Sequence, residues 1–167
     1  AIGDAFALPQ KKIDDAKNQF LPMIKAALEG AQINGTITLS GYEGSELLVA
    51  RLLIESGADV PYVGTACPKT PWNEADAAWL ADKGVKVKFR ASLEDDCAAM
   101  EAIKPDLAIG TTPVVQKGKE HGIPSLYFTN LISARPLMGA AGAGSLMQVV
   151  NAAMDNKARM DHMREFF

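Results

Sequence analysis

Residues 106–131, DLAIGTTPVVQKGKEHGIPSLYFTNL, give the clearest indication of the fold of the chain. The apolar residues 107–109 predict a short buried strand, and Thr112 followed by Pro113 predicts the N-cap and first residue of a helix. The apolar run over residues 123–128 predicts a second strand. The stretch therefore reads as a strand, a helix and a parallel strand, a unit that collects ligands beyond the carboxyl ends of its strands.

The same alternation extends through the preceding residues. Strands are predicted at residues 36–40, 60–64, 85–89, 107–109 and 123–128, and helices at 43–56, 73–83, 92–104 and 112–121. Asn73 with Asp76, and Ser92 with Asp95, have the spacing of capping boxes that open two of these helices. The pattern predicts an α/β fold, a Rossmann-like doubly wound parallel sheet of about five strands flanked by helices with right-handed crossovers.

The ends of the chain complete a single domain over residues 1–167. Apolar residues at helical spacing predict a leading amphipathic helix within residues 1–30, in which Pro22 should kink or split the helix. A Gly-, Ala- and Pro-rich loop should follow the last strand, and Ser145 should open a closing helix and tail over residues 145–167. Because the chain lacks an initial methionine and enters a helix almost at once, we expect it to be an excised piece of a longer protein.

Composition excludes several functional classes. A hydrophobic fraction of 48%, a charged fraction of 22% and a net charge of -3 argue against disorder and against nonspecific nucleic-acid binding. Cys67 and Cys97 match no zinc spacing and are too few for a disulfide scaffold. The absence of a membrane-length apolar run and of a secretory signal predicts a cytoplasmic protein with no transmembrane segment.

Four loops should leave the carboxyl ends of strands and share one rim, at residues 41–45, 65–72, 111–112 and 129–138. Gly41 and Gly44 lie at a predicted helix start, where backbone N–H groups can hold an anion. Their spacing matches neither a dinucleotide fingerprint nor a P-loop, so a structural turn is favoured.

Few other residues, on the rim or elsewhere, suggest chemistry. Cys67 is read as an inert thiol, Cys97 as a core residue, and His121 as a helix-end residue. The acidic residues 94–96 are expected in a helix first turn on electrostatic grounds. No nucleophile, triad or metal constellation is visible, so no catalytic residue is assigned and the chain does not read as a complete enzyme.

Longer strings carry a resemblance to a family. Residues 101–154 are similar to the carboxyl-terminal Rossmann-like domain of nitrogenase-like catalytic components. This resemblance implies that the chain is the carboxyl-terminal part of a longer subunit. Within that family, GYEGSELLVARLLIESGADVPYVGTACPKTPW (41–72), AIGTTPVVQKGKEHGIP (108–124) and YFTNLISARPLMG (127–139) resemble the Y subunits of chlorophyllide a reductases.

The resemblance implies a function for the complex. Y subunits pair with Z subunits, as a heterotetramer, and receive electrons from an ATP-dependent iron–sulfur reductase made of X subunits. The complex reduces the C7=C8 double bond of the chlorin ring in bacteriochlorophyll biosynthesis. Its 4Fe-4S cluster is held by cysteines of an amino-terminal domain, so this fragment is expected to bind no cofactor and to be inactive alone.

The resemblance also implies a site. The histidine with which nitrogenase binds its metal cofactor would fall at about Thr129, so no metal is expected there. A flat tetrapyrrole instead needs an apolar slot with a few polar groups. Arg135 would pair with a propionate carboxylate or, as an equal alternative, form a structural contact. The candidate substrate-binding residues are Gly41, Tyr42, Thr111, Thr112, Thr129, Asn130, Leu131, Arg135, Leu137 and Met138.

Two alternatives stay open. The chain would be a stand-alone α/β module that binds a phosphate-bearing ligand at the Gly41 and Thr111 loops, or a member of the related dark-operative protochlorophyllide reductase branch.

Overall fold

The structure is a computed structural model that describes residue 3, residues 6–129, residue 131 and residues 140–156. Within those residues, five strands form one parallel sheet in the order β3-β2-β1-β4-β5. The strands are β1 Thr36–Gly41, β2 Asp59–Thr65, β3 Lys86–Phe89, β4 Leu107–Gly110 and β5 Ser125–Tyr127. The order reverses at β1 and β4, as in a doubly wound sheet, and the predicted fold class is confirmed.

Helices cover both faces of the sheet. They are α1 Gln10–Glu29, α2 Glu46–Glu55, α3 Glu74–Asp82, α4 Leu93–Ile103, α5 Thr112–Glu120 and α6 Ala140–Met154. Leu107 and Ile109 of β4 pack in a large core with α1, α2, α3 and α6, whereas Ala108 packs in a smaller core with Met100 and Val114 of α4 and α5. This alternation follows from the two-residue period of a strand, and both faces are buried as in other parallel sheets.

The start of α4 is capped as the sequence predicts. The Ser92 hydroxyl accepts a hydrogen bond from the Asp95 amide at 3.2 Å, and the Asp95 carboxylate accepts one from the Ser92 amide at 3.0 Å. The capping box is therefore confirmed.

The two other predicted helix starts need correction. Asn73 occupies the N-cap position of α3 as predicted, but its side chain makes no capping hydrogen bond: its Oδ1 accepts from the Thr70 amide at 2.9 Å and its Nδ2 donates to the Pro68 carbonyl at 3.2 Å. The side chain closes the β2–α3 loop instead, because Asn side chains bond equally well to nearby loop backbone. For α5 the N-cap is Thr111, not Thr112, and no side chain caps it.

The first and last helices differ from the prediction. α1 is continuous through Pro22, so the predicted split is wrong. Proline has no N–H to bond the carbonyl one turn earlier, but this part of α1 is exposed and water can bond that carbonyl instead. The closing helix begins at Ala140 rather than Ser145. Alanine is the strongest helix former, and Gly144 allows close packing on α1, where a Cβ at Gly144 would lie 3.5 Å from Ala27 Cβ. Residues 132–139 and the tail from residue 157 lie outside the described residues.

In the part of the chain that the structure describes, no helix combines the length and the apolar character needed to cross a bilayer.

Candidate functional site

The carboxyl ends of the strands meet at one edge of the sheet, which we call the rim. Gly41 at the end of β1 pairs with Thr65 of β2, and Gly110 at the end of β4 pairs with Tyr127 of β5. All strands are parallel, so the loops that follow β1, β2, β4 and β5 leave from this edge. The predicted convergence of these four loops is confirmed as far as residue 129.

A hydrogen-bonded cluster of four hydroxyl groups and one carboxylate lies on the rim; the hydroxyls belong to Tyr42, Thr112, Tyr127 and Thr129, and the carboxylate belongs to Glu43. The Tyr42 hydroxyl lies 3.3 Å from the Tyr127 hydroxyl and 3.3 Å from Thr129 Oγ1, and Thr129 Oγ1 donates to Glu43 Oε1 at 3.0 Å. Hydrogen bonds from Tyr42, Thr129 and Thr112 lower the pKa of Tyr127. We call these five residues the hydroxyl cluster.

The hydroxyl cluster is accessible to a ligand. The Tyr42 side chain is 51% exposed, while Tyr127 and Thr129 are half-buried. Each hydroxyl can donate and accept hydrogen bonds, and each phenol ring offers a flat apolar face beside its polar group. Such a combination suits a large planar ligand that carries a few carbonyl or carboxylate oxygens.

The structure brings together some of the predicted site residues. Tyr42, Thr112 and Thr129 belong to the hydroxyl cluster, and Thr111 lies beside it as the N-cap of α5. Leu131 is 3% exposed and packs in the large core, so it supports the rim from below rather than lining an open slot. Asn130, Arg135, Leu137 and Met138 lie outside the described residues.

Sequence reasoning missed Glu43 and Tyr127. The sequence pattern predicts Tyr127 only as part of the last strand. In the structure Tyr127 ends β5 and pairs with Gly110, which leaves its side chain room on the rim. The contacts with Tyr42 and Thr129 depend on β1, β4 and β5 being neighbours, and no local pattern states that order.

A buried carboxylate occupies the turn between β1 and α2. Glu46 is fully buried; its Oε1 accepts from the Glu43 amide at 2.7 Å and its Oε2 accepts from the Thr65 hydroxyl at 3.0 Å. A Cβ at Gly41 would lie 2.5 Å from Glu46 Oε1, so only glycine fits there. Because this carboxylate already binds the turn and places negative charge at the first turn of α2, it disfavours a bound anion. Gly41 and Gly44 are explained as parts of a structural turn.

A second buried carboxylate lies on the α4 side of the sheet. Asp96 Oδ1 accepts a hydrogen bond from the Tyr62 hydroxyl at 2.8 Å, and a Cβ at Gly64 would collide with the same oxygen. Burial raises the pKa of Asp96 to about 6, and burial followed by the Asp96 contact raises the pKa of Tyr62. The neighbouring Asp95 is only half-buried and pairs with Lys88 at 2.6 Å, which is the main cause of its pKa of about 2.

The favourable electrostatics of acidic residues in a helix first turn therefore explain Asp95, but they do not explain why Asp96 is buried. Asp96 and Tyr62 serve the packing of α4 on β2.

The cysteines and histidine do not assemble a metal centre. Cys67 Sγ lies 3.7 Å from the Tyr42 carbonyl oxygen on the rim, whereas Cys97 is half-buried in α4, where burial raises its pKa. His121 follows the end of α5 and lies 3.3 Å from Glu101. Over the described residues, no three His, Cys, Asp or Glu side chains are placed to hold a metal ion.

Comparison with known proteins shows the family. The family described as "Nitrogenase component 1 type Oxidoreductase" matches residues 1–155, and the chain belongs to it. The chain is 68% identical over 167 residues to the "Chlorophyllide reductase 52.5 kDa chain" of Cereibacter sphaeroides, covering 100% of this chain and 33% of the relative. It is 69% identical over 166 residues to the protein of the same name from Rhodobacter capsulatus, covering 99% of this chain and 33% of the relative. The chain thus spans about a third of the length of these curated relatives.

A solved structure, "Nitrogenase Cp1 at pH 6.5", has the same fold. It aligns with a TM-score of 0.63 and 22% identity, over 93% of this chain and 36% of that chain.

Proposed function

We propose that this chain is part of the Y subunit of chlorophyllide a reductase, and that the assembled enzyme reduces the C7=C8 double bond of the chlorin ring. The observation that carries the proposal is the identity of 68% and 69%, over essentially the whole chain, to two chlorophyllide reductase 52.5 kDa chains. In this proposal the partners are a Z subunit and an ATP-dependent X reductase in the cytoplasm. Because the chain spans a third of those relatives, the isolated chain is expected to be inactive.

The electron-transfer cluster belongs to another part of the proposed complex. A 4Fe-4S cluster needs several converging cysteines, whereas Cys67 lies in the β2–α3 loop and Cys97 in α4. The described residues therefore do not fit a cluster, and the contribution of this chain is sought at the rim.

The rim is proposed as one wall of the pigment pocket. The hydroxyl cluster offers hydrogen bonds to carbonyl or carboxylate oxygens at the edge of the macrocycle, and the Tyr42 and Tyr127 rings offer apolar contact to its face. Asn130, Arg135, Leu137 and Met138, on the segment that follows β5, remain predicted contributors to the same pocket. The pigment would thus be held by polar contacts at its edge and by apolar contacts on its plane.

The alternatives are less well supported. A module that binds a phosphate-bearing ligand at the Gly41 loop would place an anion beside the buried Glu46 carboxylate, and the like charges would repel each other. The protochlorophyllide reductase branch shares the family, but the two relatives at 68% and 69% identity are both named chlorophyllide reductases.

A pigment titration tests the proposal. This 167-residue sequence would replace the matching third of the Rhodobacter capsulatus chain, giving a full-length chimera, which would be assembled with its partner subunit and titrated with chlorophyllide a by visible absorption. We expect a saturable spectral shift. Tyr42→Phe combined with Thr129→Val removes two hydroxyls from the hydroxyl cluster and should weaken binding about tenfold, at ~1 kcal/mol or less for each lost hydrogen bond.

Thr36→Val is the matched control. Its hydroxyl makes an exposed 3.3 Å hydrogen bond to Asp59 at the opposite edge of the sheet, so its removal should leave pigment affinity unchanged. Equal affinities for the rim variant and the wild-type chimera would remove the rim from the pigment pocket. A melting temperature of the 167-residue chain that rises with a sugar phosphate and not with pigment would favour the phosphate-binding alternative.

A further inference from the structure

The leading helix α1 has an apolar face that the rest of the fold covers only in part. Near its carboxyl end, Leu28 is 3% exposed and joins the large core, and Ile24 packs against that core. Ala27 lies close to Gly144 of α6. The last two turns of α1 are therefore seated on the domain.

The same face continues toward the amino end, where Ile13 is half-buried close to Gly3 and the side chains around Phe20 are exposed. Ile13, Ala16 and Phe20 precede Ile24 at intervals of three and four residues, which places them on one side of the helix. Phe20 is nevertheless 44% exposed, and its neighbours Leu21 and Met23 are 47% and 56% exposed. Residues 10–23 extend over ~20 Å at 1.5 Å per residue, a length comparable to a helix–helix contact.

The exposed apolar side chains are concentrated in this part of the molecule. Nine large hydrophobic side chains are exposed among the described residues, and five of them are Phe6, Leu8, Phe20, Leu21 and Met23. We call these five residues the α1 patch. Scattered exposed apolar residues are normal, but a concentration in one segment marks a surface that a partner covers.

The charges around the α1 patch favour a protein partner. α1 carries Lys11, Lys12, Lys17 and Lys25 together with Asp14, Asp15 and Glu29, so neither sign dominates. An anionic membrane or a nucleic acid would be recognised by a surplus of positive charge. A nearly neutral helix with a long apolar face instead resembles a helix packed inside a larger protein.

From these observations we propose that the α1 patch docks against the polypeptide that chlorophyllide reductase 52.5 kDa chains carry outside this stretch. The proposal rests on the proposed function. The relatives match all of this chain with about a third of their own length, so about two thirds of each relative is polypeptide that this structure does not contain. That polypeptide continues the packing that α6 begins on the last turns of α1.

Hydroxyl-radical footprinting tests the docking. The 167-residue chain and the full-length chimera would be oxidised under the same dose, and modification of Phe20, Leu21 and Met23 would be measured by mass spectrometry. We expect the modification rate of these side chains to fall at least about fivefold in the chimera. Leu48 of α2, 54% exposed, is the matched control and should change by less than about twofold.

Unchanged reactivity of the α1 patch in the chimera would overturn the proposal. Protection that rises with concentration in the 167-residue chain alone would also overturn it, because the occupant would then be a second copy. Variants give a second readout: Phe20→Ser with Met23→Ser should leave the melting temperature of the 167-residue chain within about 2 °C and lower that of the chimera by several degrees, whereas Leu48→Ser should affect both equally.

Neither readout requires enzymatic activity. Protection in a chimera that fails to bind or reduce pigment would reject the proposed function while keeping the docking surface. A chimera that reduces pigment while its α1 patch stays unprotected would reject the docking surface while keeping the proposed function.

Discussion

Glu46 should be one of the most important polar residues for the stability of this fold. Its carboxylate is fully buried and accepts hydrogen bonds from the Glu43 amide at 2.7 Å and from the Thr65 hydroxyl at 3.0 Å. These contacts join the turn after β1 to the end of β2. Replacing Glu46 by alanine would leave the buried Thr65 hydroxyl and the partly buried Glu43 amide without this acceptor.

The expected cost follows from those two hydrogen bonds. Hydrogen bonds to a charged acceptor contribute about 1.5 to 3 kcal/mol each. Removing a buried charge also removes its desolvation penalty, which offsets part of that loss. We expect the Glu46→Ala variant to lose about 3 kcal/mol of unfolding free energy. Glu46→Gln keeps the size and can still bond both partners, because the Thr65 hydroxyl can accept from the new amide, and should lose about 1 kcal/mol.

Urea denaturation of the 167-residue chain, followed by circular dichroism, measures both variants. The order wild type, Glu46→Gln, Glu46→Ala is the expected result, with unchanged slopes against urea concentration. Equal stabilities for the two variants, or a loss below about 1 kcal/mol in Glu46→Ala, would refute the reasoning, because the carboxylate would then not be satisfying those donors. An increase in melting temperature with phosphate would likewise show that the turn accepts an anion despite Glu46.

Three further predictions concern α4 and the sheet beneath it. Because the pKa of Asp96 is raised to about 6 in the folded state, its protonation stabilises the fold: the contribution is complete below about pH 4 and is lost as the pH rises through about 6. The wild-type chain should therefore lose on the order of 2 kcal/mol between pH 4 and pH 7 from this group, and urea titrations of Asp96→Asn at both pH values should show a smaller loss. Gly64→Ala should lower the unfolding free energy by more than about 2 kcal/mol, because the new Cβ collides with Asp96 Oδ1. Gly84→Ala should lower it by about 1 kcal/mol, because Gly84 has a φ of +81° but open space around it. Similar denaturation midpoints for the two variants would contradict this prediction. Ser92→Ala should lower stability by about 1 kcal/mol through loss of the capping box, and a melting temperature unchanged within error would show that the cap contributes nothing.

Much of the fold was predictable because local signals agree with one another. Apolar runs of strand length alternate with helical patterns, and the resulting parallel sheet was expected before the strand order was known. The failures occur where one residue type serves two purposes. Asn73 looks like a helix cap and closes a loop, and the Ala and Gly residues after residue 139 look like a loop and form the start of α6.

The candidate site was predictable in position and only partly in composition. The rim follows from the carboxyl ends of parallel strands, so Tyr42, Thr112 and Thr129 were within reach of sequence reasoning. Tyr127 and Glu43 join them through the lateral order of β1, β4 and β5, which is a property of the whole sheet. The burial of Asp96 is hidden for the same reason, since it depends on how α4 lies over Tyr62.

Reduction of chlorophyllide a by the full-length chimera, reconstituted with its partner subunit and the ATP-dependent reductase, tests the central claim most directly. We predict that the chimera converts the pigment at a rate similar to that of the Rhodobacter capsulatus chain. The variant with Tyr42→Phe and Thr129→Val should need about tenfold more pigment for half-maximal rate, while the Thr36→Val variant behaves as the unmodified chimera. A chimera that assembles with its partner and shows no conversion, or a rim variant with unaltered kinetics, would contradict the account.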